Sequence, residues 1–318
     1  MMNNDEIRIG VSACLLGQKV RYDGGHKHQR LLTDELGMFL TLVPVCPEAE
    51  VGMGIPRETV HLDGDHEAPR MIGTRSNEDW TARMNDWSRR RVRELAADDL
   101  CGFIFKKGSP SCGVWRVKLF DENGRPRPRG RGLFAMEYLR RFSLVPVEEE
   151  GRLNDTRLRE NFVERIFAFH RLKTLFATSW IHSEVETFHA REKCLLMAHS
   201  PNHFKEIDRL VAGIEEYTPA AFRDTYMPLF MEALAVKATV RRHTITLRHV
   251  AGHLRGAVGE AERERIRAVI ADYEEGLVPL IVPITLLQHF IDIHQIPYVS
   301  DQTYLKPHPK ELMLRNRV

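Results

Sequence analysis

The stretch that decides the fold class of the first half is Ile7-Arg8-Ile9-Gly10-Val11-Ser12-Ala13-Cys14, a short β-type apolar run that ends in a cysteine. The pattern recurs where Leu42 to Val45 precedes Cys46-Pro47-Glu48. It recurs again where Phe103 to Phe105 precedes the loop Ser109-Pro110-Ser111-Cys112-Gly113. In a parallel sheet the carboxyl ends of such strands meet along one edge, where open α/β sheets bind ligands. The sequence therefore predicts one pocket that collects the three cysteines.

Cys14, Cys46 and Cys112 suggest a metal site that lacks a fourth protein ligand. No local Cys-x-x-Cys pair is present, so the fold would have to assemble the ligands, and their spacing leaves zinc and iron-sulfur both open. Cys101 and Cys194 lie in apolar stretches and are interpreted as small buried hydrophobes. Disulfides are not expected, because the five cysteines have no framework spacing and the chain starts without a signal-peptide pattern.

Composition limits the class of protein. The chain has 318 residues and 43% hydrophobic content, enough for two domains with ordinary cores. No apolar run reaches the roughly 18 residues that a membrane span needs. The net charge of +2 gives no general attraction to nucleic acid, so such binding would need a local cluster. We therefore expect a soluble cytoplasmic protein with reduced cysteines, no membrane partner and no obligate protein partner.

The chain divides into two halves with different patterns. Up to about residue 147, β-type runs alternate with helical stretches, which predicts an α/β domain with a largely parallel sheet over residues 1–148. The acidic stretch Glu148 to Asn154 is predicted to be a linker. Residues 155–318 are predicted to form an all-α domain, with helices at about 155–176, 183–199, 202–213, 219–255, 260–273 and 280–294.

Two polar residues beside the cysteines are candidates for catalysis. Glu48 lies two residues after Cys46, and Ser109 lies three residues before Cys112. On their own they would be a helix-capping carboxylate and a turn serine. If the site held a four-iron cluster, three protein ligands would leave one iron open as a soft Lewis acid that prefers sulfur. Chemistry beside such an iron would need a carboxylate and a hydroxyl, and both are present.

Four ordered motifs in this half resemble the 2-thiouracil desulfurase family, over roughly residues 6–147. They are Ser12-Ala13-Cys14-Leu15-Leu16-Gly17, Val20-Arg21-Tyr22-Asp23-Gly24, Cys46-Pro47-Glu48 and Ser109-Pro110-Ser111-Cys112-Gly113. The resemblance implies a 4Fe-4S cluster with one open iron, held by Cys14, Cys46 and Cys112. It also implies that Glu48 and Ser109 are the catalytic acid and hydroxyl.

The reaction implied by this resemblance is a non-redox hydrolysis. The thio sulfur binds the open iron, water attacks the thiocarbonyl carbon, and the sulfur leaves as hydrosulfide. Glu48 would deprotonate the water, and Ser109 would position the water or relay a proton. Arg21 and Asp23 follow Cys14 closely and are candidates for binding the substrate base, with a surface ion pair as the alternative.

A basic segment without acids marks the second half. No acidic residue occurs between Glu232 and Glu260. If this segment is one helix, basic residues spaced by four and seven form a single stripe with one more arginine on its flank. Such a stripe resembles a phosphate-binding surface, although a charged helix face is usually just solvated. The predicted RNA-binding residues of this segment are Lys237, Arg241, Arg242, Arg248 and Arg255.

A second basic segment, Arg125 to Arg131, lies in the first half. Its prolines and glycine predict a flexible or extended loop that is suited to following a nucleic-acid backbone. Arg127 and Arg129 are therefore further candidates for RNA contacts.

The second half, about residues 155–318, resembles the YbgA family of small all-α domains. The similarity lies in whole segments, Asn161 to Trp180, Leu280 to Leu287 and Tyr298 to Leu305. Desulfurases joined to this domain are implied to act on 4-thiouridine within tRNA, with the helical domain binding the RNA. The two resemblances together imply a tRNA 4-thiouridine desulfidase.

Two other hypotheses stay open at the level of sequence. In the first, the protein acts on free thiouracil and the helical domain is only structural. In the second, it is a non-enzymatic RNA-binding or redox-sensing protein whose cluster or zinc is structural, although a structural site is normally closed by a fourth ligand.

Overall fold

The structure is a computed structural model that describes residues 6–318. The chain divides into two compact units, the first ending at Asn154 and the second spanning Asp155–Val318. The first unit combines a parallel sheet with helices and the second is helical, so the predicted fold class is confirmed. Within residues 6–318, no helix is both long enough and apolar enough to cross a membrane.

Within residues 6–154, the first unit contains two four-stranded sheets. Its strands are β1 Arg8–Ser12, β2 Thr41–Val45, β3 Val60–Gly64, β4 Pro69–Gly73, β5 Gly102–Phe105, β6 Val117–Phe120, β7 Pro126–Gly130 and β8 Val147–Glu149. Four of them form a wholly parallel sheet in the order β2-β1-β5-β8. The carboxyl ends of β1, β2 and β5 are therefore neighbours at one edge, which brings together the segments that follow them.

The helices of this unit are α1 Pro47–Glu50, α2 Thr81–Ala97 and α3 Leu133–Arg141. An aromatic core joins α2 and α3 to the parallel sheet. The Phe103 ring on β5 lies 5.9 Å from Phe134 and 4.8 Å from Tyr138, both on α3. Gly10 on β1 makes room for this core, because a Cβ atom there would clash with the Phe103 ring. Small and large residues on adjacent strands thus fix the packing beneath the pocket.

The prediction of a loop at residues 125–131 is wrong, because most of this segment is a strand of the second sheet. Its order is β4-β3-β6-β7, with β3 and β6 parallel and the outer pairs antiparallel. Pro126, Arg127, Pro128 and Arg129 lie in β7, the edge strand, and are exposed. Prolines lack an N–H donor but are tolerated on an edge strand. The proline-rich composition therefore suggested a loop, although the backbone of this segment pairs with β6.

The prediction of a linker is also wrong for its first two residues. Glu148 and Glu149 belong to β8, pair with β5 and are 6% and 2% exposed. The Glu149 Oε1 atom accepts hydrogen bonds from the backbone N–H of Val114 at 2.9 Å and of Trp115 at 3.1 Å. Buried carboxylates are tolerated when such donors satisfy them. An acidic composition alone indicated solvent exposure, whereas here each carboxylate has a specific partner.

The second unit begins with a capped helix. Asp155 caps its first helix, because Oδ1 accepts from the backbone N–H of Arg157 at 2.9 Å and of Leu158 at 3.0 Å. Its helices are α4 Thr156–Phe176, α5 His182–His199, α6 Pro201–Ala212, α7 Pro219–Ala235, α8 Val240–His253, α9 Glu260–Glu274, α10 Ile281–His294 and α11 Pro297–Ser300.

The long helix predicted over residues 219–255 is wrong, because it is two helices. The chain is extended at Val236 after α7, and Thr239 starts α8 by accepting a hydrogen bond from the Arg242 N–H at 3.3 Å. Lys237 lies in this connection, and Arg255 lies beyond the end of α8. The predicted basic residues therefore do not form a stripe along one helix.

Candidate functional site

One pocket of about 250 Å³ lies at the carboxyl edge of the parallel sheet and is lined by all three predicted cysteines. Cys14 lies in the 3-10 turn Ala13–Leu16 that follows β1. Cys46 joins β2 to α1, and Cys112 lies in the loop after β5. Three segments far apart in sequence thus converge as the parallel topology predicts.

Burial raises the pKa of all three thiols. For Cys14 the value is about 11, with a smaller contribution from repulsion by Cys46. Burial is also the main cause of the raised pKa of Cys46 and of Cys112. Metal binding requires thiolates, so the metal itself would have to supply the compensating positive charge.

Glu48 is the centre of a hydrogen-bond network in this pocket. Its Oε2 atom accepts from Arg57 Nη2 at 2.6 Å and Nε at 3.2 Å. Its Oε1 atom accepts from Ser109 Oγ at 3.1 Å and Ser111 Oγ at 2.8 Å. The structure therefore brings the predicted Glu48 and Ser109 into direct contact. Four donors hold the carboxylate in one orientation, which suits a positioned proton acceptor.

Arg57 is a pocket residue that sequence reasoning missed. Its side chain is 5% exposed, and its Nη1 atom donates to the carbonyl oxygens of Val20 and Gly54, both at 3.0 Å. No repeat or motif marks this arginine, because its position depends on how the segment after α1 folds back. Ser111 belongs to the motif that contains Cys112, but the motif predicts no role for it, because a sequence does not show where a hydroxyl points.

The predicted substrate residues separate into one that lines the pocket and one that supports it. Arg21 and Tyr22 line the pocket, while Asp23 is outside its lining. Asp23 Oδ1 lies 3.4 Å from Arg21 Nε and accepts from the Gly25 N–H at 3.0 Å. The Gly25 N–H, and Arg21 to a smaller extent, hold the pKa of the Asp23 carboxyl below its ordinary value. The ion pair that sequence offered as the alternative is thus present, and it orients Arg21.

The pocket floor is anchored by acids at the end of β8. Glu150 forms an ion pair with Lys106 and accepts from the Lys107 N–H at 2.6 Å. Ser12 Oγ accepts from the Lys106 N–H at 2.9 Å, which ties the end of β5 to the end of β1. Glu149 holds the other side of the Cys112 loop through Val114 and Trp115.

The basic residues of the second unit have different surroundings from one another. Arg242 Nη1 donates to the His199 carbonyl at 2.8 Å, so this side chain connects elements of the unit. Arg248 Nη2 lies 2.6 Å from Glu274 Oε2, which supplies an acid from α9 that the sequence segment lacks. Lys237 and Arg241 are exposed.

Between α8 and α9 lies a cleft of about 310 Å³, here named the arginine cleft. It contains two of the predicted residues and two that α9 contributes. Sequence reasoning missed the latter pair because acidic neighbours conceal them in the linear pattern. The four arginines that line it are Arg248, Arg255, Arg263 and Arg267.

The two candidates of the first unit lie on β7. Arg127 Nε lies 3.7 Å from Asp121 Oδ2, and Arg129 is exposed. The structure thus presents both on the exposed edge of the second sheet.

Comparison with known proteins gives a match for each half. Residues 9–150 match the family described as 2-thiouracil desulfurase, and residues 193–309 match a family described as a protein of unknown function, DUF1722. The uncharacterized protein YbgA of Escherichia coli (strain K12) is 27% identical over 165 residues, which are 52% of this chain and 98% of YbgA. A solved structure of the 4Fe-4S-dependent thiouracil desulfidase TudS is 31% identical, with a TM-score of 0.40, over 49% of this chain and 98% of TudS. This chain therefore joins a region similar to 2-thiouracil desulfurases to a DUF1722 region similar to YbgA.

Proposed function

We propose that this protein is an iron-sulfur enzyme that hydrolytically removes sulfur from 4-thiouridine in tRNA. The observation that carries the proposal is the convergence of Cys14, Cys46 and Cys112 on one pocket with the Glu48 network. The match of residues 9–150 to the 2-thiouracil desulfurase family supports desulfuration as the reaction.

The cysteine arrangement suits a cluster better than a single zinc ion. Among residues 6–318, no three His, Cys, Asp or Glu side chains are arranged to hold one metal ion. Tetrahedral zinc would bring three sulfurs to within about 4 Å of one another, given its bond lengths. All three thiols line one cavity of about 250 Å³, as ligands of a larger group would. A 4Fe-4S cluster bound by three cysteines would supply an open iron that polarises a thiocarbonyl through its sulfur.

The residues of the pocket then have distinct tasks. Glu48, with the serine hydroxyls on its Oε1 atom, takes one proton from the attacking water. The resulting hydroxide adds to the thiocarbonyl carbon. As the carbon-sulfur bond breaks, the proton of the added hydroxyl moves to the sulfur, which leaves as hydrosulfide while the carbonyl forms, and Glu48 then releases its proton to solvent. Arg21 and the half-exposed Tyr22 ring lie where they would hold the substrate base by charge and stacking. Asp23 keeps Arg21 in place.

The arginine cleft supports RNA as the carrier of the thiobase. Phosphates bind arginine forks in bidentate geometry, and release of counterions makes such binding favourable. Arg255 and Arg248 are the predicted residues that line this cleft, and Arg241, Lys237, Arg127 and Arg129 would add weaker surface contacts. Arg242 is instead assigned to holding α5 and α8 together.

The deciding experiment compares two substrates on one preparation. We expect anaerobically reconstituted protein to release hydrosulfide from tRNA that carries 4-thiouridine, with a higher kcat/KM than from free 2-thiouracil. Turnover of thiouracil alone would assign the protein to free bases. In Glu48→Ala we expect iron content to stay normal while turnover is lost. Full turnover of that variant would contradict the catalytic role of Glu48.

A further inference from the structure

A cavity of about 920 Å³ in the second unit has no part in the chemistry proposed above. It lies between α4, α10 and the segment of residues 305–316, and it is here named the α4–α10 cavity. Arg171 Nη1 on α4 donates to the Pro307 carbonyl at 3.0 Å. Gln288 Nε2 on α10 donates to the Leu305 carbonyl at 3.1 Å. Both helices thus hold the segment that closes the cavity, whose volume is typical of preformed sites for small ligands.

Two neighbouring rings give the cavity a planar, uncharged surface. Phe167 is half-buried, and its ring centroid lies 6.4 Å from that of His308. His308 Nδ1 lies 3.1 Å from the Pro309 carbonyl oxygen, which can only accept, so Nδ1 carries the ring proton. Burial, with repulsion from Arg315 as a smaller contribution, lowers the pKa of His308 to about 4. The ring is therefore neutral at pH 7, and this wall suits contact with the flat ring of a ligand.

The charged groups of the lining favour an anion. Lys306 and Lys310 are exposed, and in the described part of the chain neither side chain forms an ion pair. Arg171 and Arg315 also line the cavity, but acids of α5 and α4 already pair with them. Glu311 is the one acid among the described lining residues. The lysines therefore have capacity for a negatively charged group at the cavity.

Gln288 adds an acceptor to this lining. The Leu305 carbonyl fixes the orientation of its amide, because only the NH₂ group can donate to that oxygen. Within residues 6–318, no donor reaches the Oε1 atom of this side chain, so it is available to an N–H group of a ligand. The cavity thus combines a wall for a flat ring, an acceptor for its N–H groups and two cations for an anion.

A nucleotide has all three of the matching features. We propose that the α4–α10 cavity binds one unpaired nucleotide of the RNA, with its base against Phe167 and its phosphate at Lys306 and Lys310. This inference rests on the proposed function, in which RNA carries the thiobase. A paired base could not enter, because its faces are stacked and its edge is bonded to its partner, whereas bases of single-stranded segments are free to stack on aromatic side chains.

The test uses two RNA hairpins without thiobases, one with a blunt end and one with a short single-stranded extension. We expect the unaltered protein to bind the extended hairpin about tenfold more tightly. Thr285→Phe places a ring in the cavity from α10 and should abolish this preference while leaving the affinity for the blunt hairpin unchanged. The matched control, Val282→Phe, adds the same ring to the same helix outside the lining and should keep the preference. Melting temperatures show whether both variants are folded.

The lysines are tested by the salt dependence of binding. Lys306→Gln combined with Lys310→Gln should reduce the slope of log K against log salt by about one for the extended hairpin, and by less for the blunt one. The control, Lys118→Gln with Lys205→Gln, removes the same charge from exposed positions outside the cavity. Equal slopes for the two double variants on the extended hairpin would overturn the assignment of the phosphate.

Free uridine 5′-monophosphate distinguishes the two sources of a nucleotide. If Thr285→Phe abolishes binding of the free nucleotide but keeps the preference for the extended hairpin, the cavity is a site for free nucleotides and the proposal is overturned. Equal affinity of the unaltered protein for the two hairpins overturns it as well. If the cluster-loaded protein leaves thiolated tRNA unchanged, the proposed function fails, and binding of the hairpins, which needs no turnover, still decides this inference.

Discussion

Arg57 determines the orientation of Glu48, the proposed catalytic base in the pocket. Its guanidinium binds Glu48 Oε2 with two N–H groups and uses the remaining terminal nitrogen on two carbonyls. The backbone N–H of the same residue donates to the Tyr22 carbonyl at 2.9 Å. Arg57 thus connects the Glu48 carboxylate to the loop that bears Arg21.

This geometry predicts a strong difference between two substitutions of Arg57. We expect Arg57→Gln to lower kcat per bound cluster about 100-fold, because Glu48 Oε2 loses its charged partner and the carboxylate can rotate. Arg57→Lys should recover only part of the rate, since an ammonium does not reproduce the planar fork. Steady-state kinetics normalised to iron content measure both.

The control is Arg8→Gln. Arg8 pairs with Asp98 at 3.2 Å at the amino end of β1, away from the pocket. Its kcat should match that of the unaltered protein. Wild-type kcat in Arg57→Gln would show that Glu48 needs no support.

At the scale of elements, β8 does more than extend the sheet. Glu149 in this strand and Glu150 just after it hold the two sides of the loop that carries Cys112, so the end of an edge strand of three residues determines where Cys112 lies. The predicted linker is therefore a positioning element. Composition does not reveal this, because the partners of Glu149 are backbone N–H groups more than 30 residues away.

Substitution of Glu149 tests this role with a matched pair. Glu149→Ala leaves two buried N–H groups without an acceptor and should lower the free energy of unfolding by about 2 to 4 kcal/mol. Glu149→Gln keeps an acceptor oxygen in the same position and should cost much less. Urea unfolding and iron retention measure the effect. Equal stability of the two variants would show that Glu149 is not an anchor for the loop.

The arginine cleft makes a prediction about RNA binding by α8 and α9. We expect Arg255→Gln combined with Arg267→Gln to weaken tRNA binding and to reduce the slope of log K against log salt by about two. The matched control, Arg90→Gln with Arg93→Gln on the exposed face of α2, removes the same charge. Titrations at several salt concentrations measure the slope. The same loss in both double variants would mean that only net charge matters.

At the scale of the whole molecule, the second unit buries charged groups whose burial cannot be predicted from the sequence pattern. Arg315 Nε lies 3.1 Å from Glu160 Oε1, and Arg315 Nη2 lies 3.4 Å from Glu164 Oε1. Burial, with repulsion from Glu164 as a smaller contribution, raises the pKa of Glu160 above its ordinary value. Burial lowers the pKa of His243 to about 3. The Nδ1 atom of this ring is hydrogen-bonded to the Tyr304 hydroxyl oxygen at 3.0 Å.

His243 predicts a pH dependence of stability. The unfolded chain protonates this ring near its ordinary pKa of 6.5, whereas the folded chain does so only near 3. Between these values the unfolded state binds one more proton, so stability falls as the pH drops, by about 1.4 kcal/mol per unit. At pH 5 the loss is about 2 kcal/mol relative to neutral pH.

The test is urea unfolding of His243→Gln and the unaltered protein at pH 7 and pH 5. Glu160 acts in the opposite direction, because its raised pKa favours the folded state at low pH, so only the difference between variant and parent reports on His243. We expect the variant to lose less stability on acidification. The same loss in both proteins would contradict a neutral buried His243.

The sequence by itself determined the parallel α/β class of the first half, the helical class of the second and the three loop cysteines beside Glu48 and Ser109. These features are local, because strand and helix periodicity and short motifs are written in consecutive residues. The tertiary structure alone decided the contacts of Arg57 and Ser111 with Glu48, the anchoring acids at the end of β8 and the pairing of Arg248 with Glu274. Each of these depends on a distance between residues far apart in the chain, and hydrogen bonds and ion pairs form only when folding has brought the two partners together.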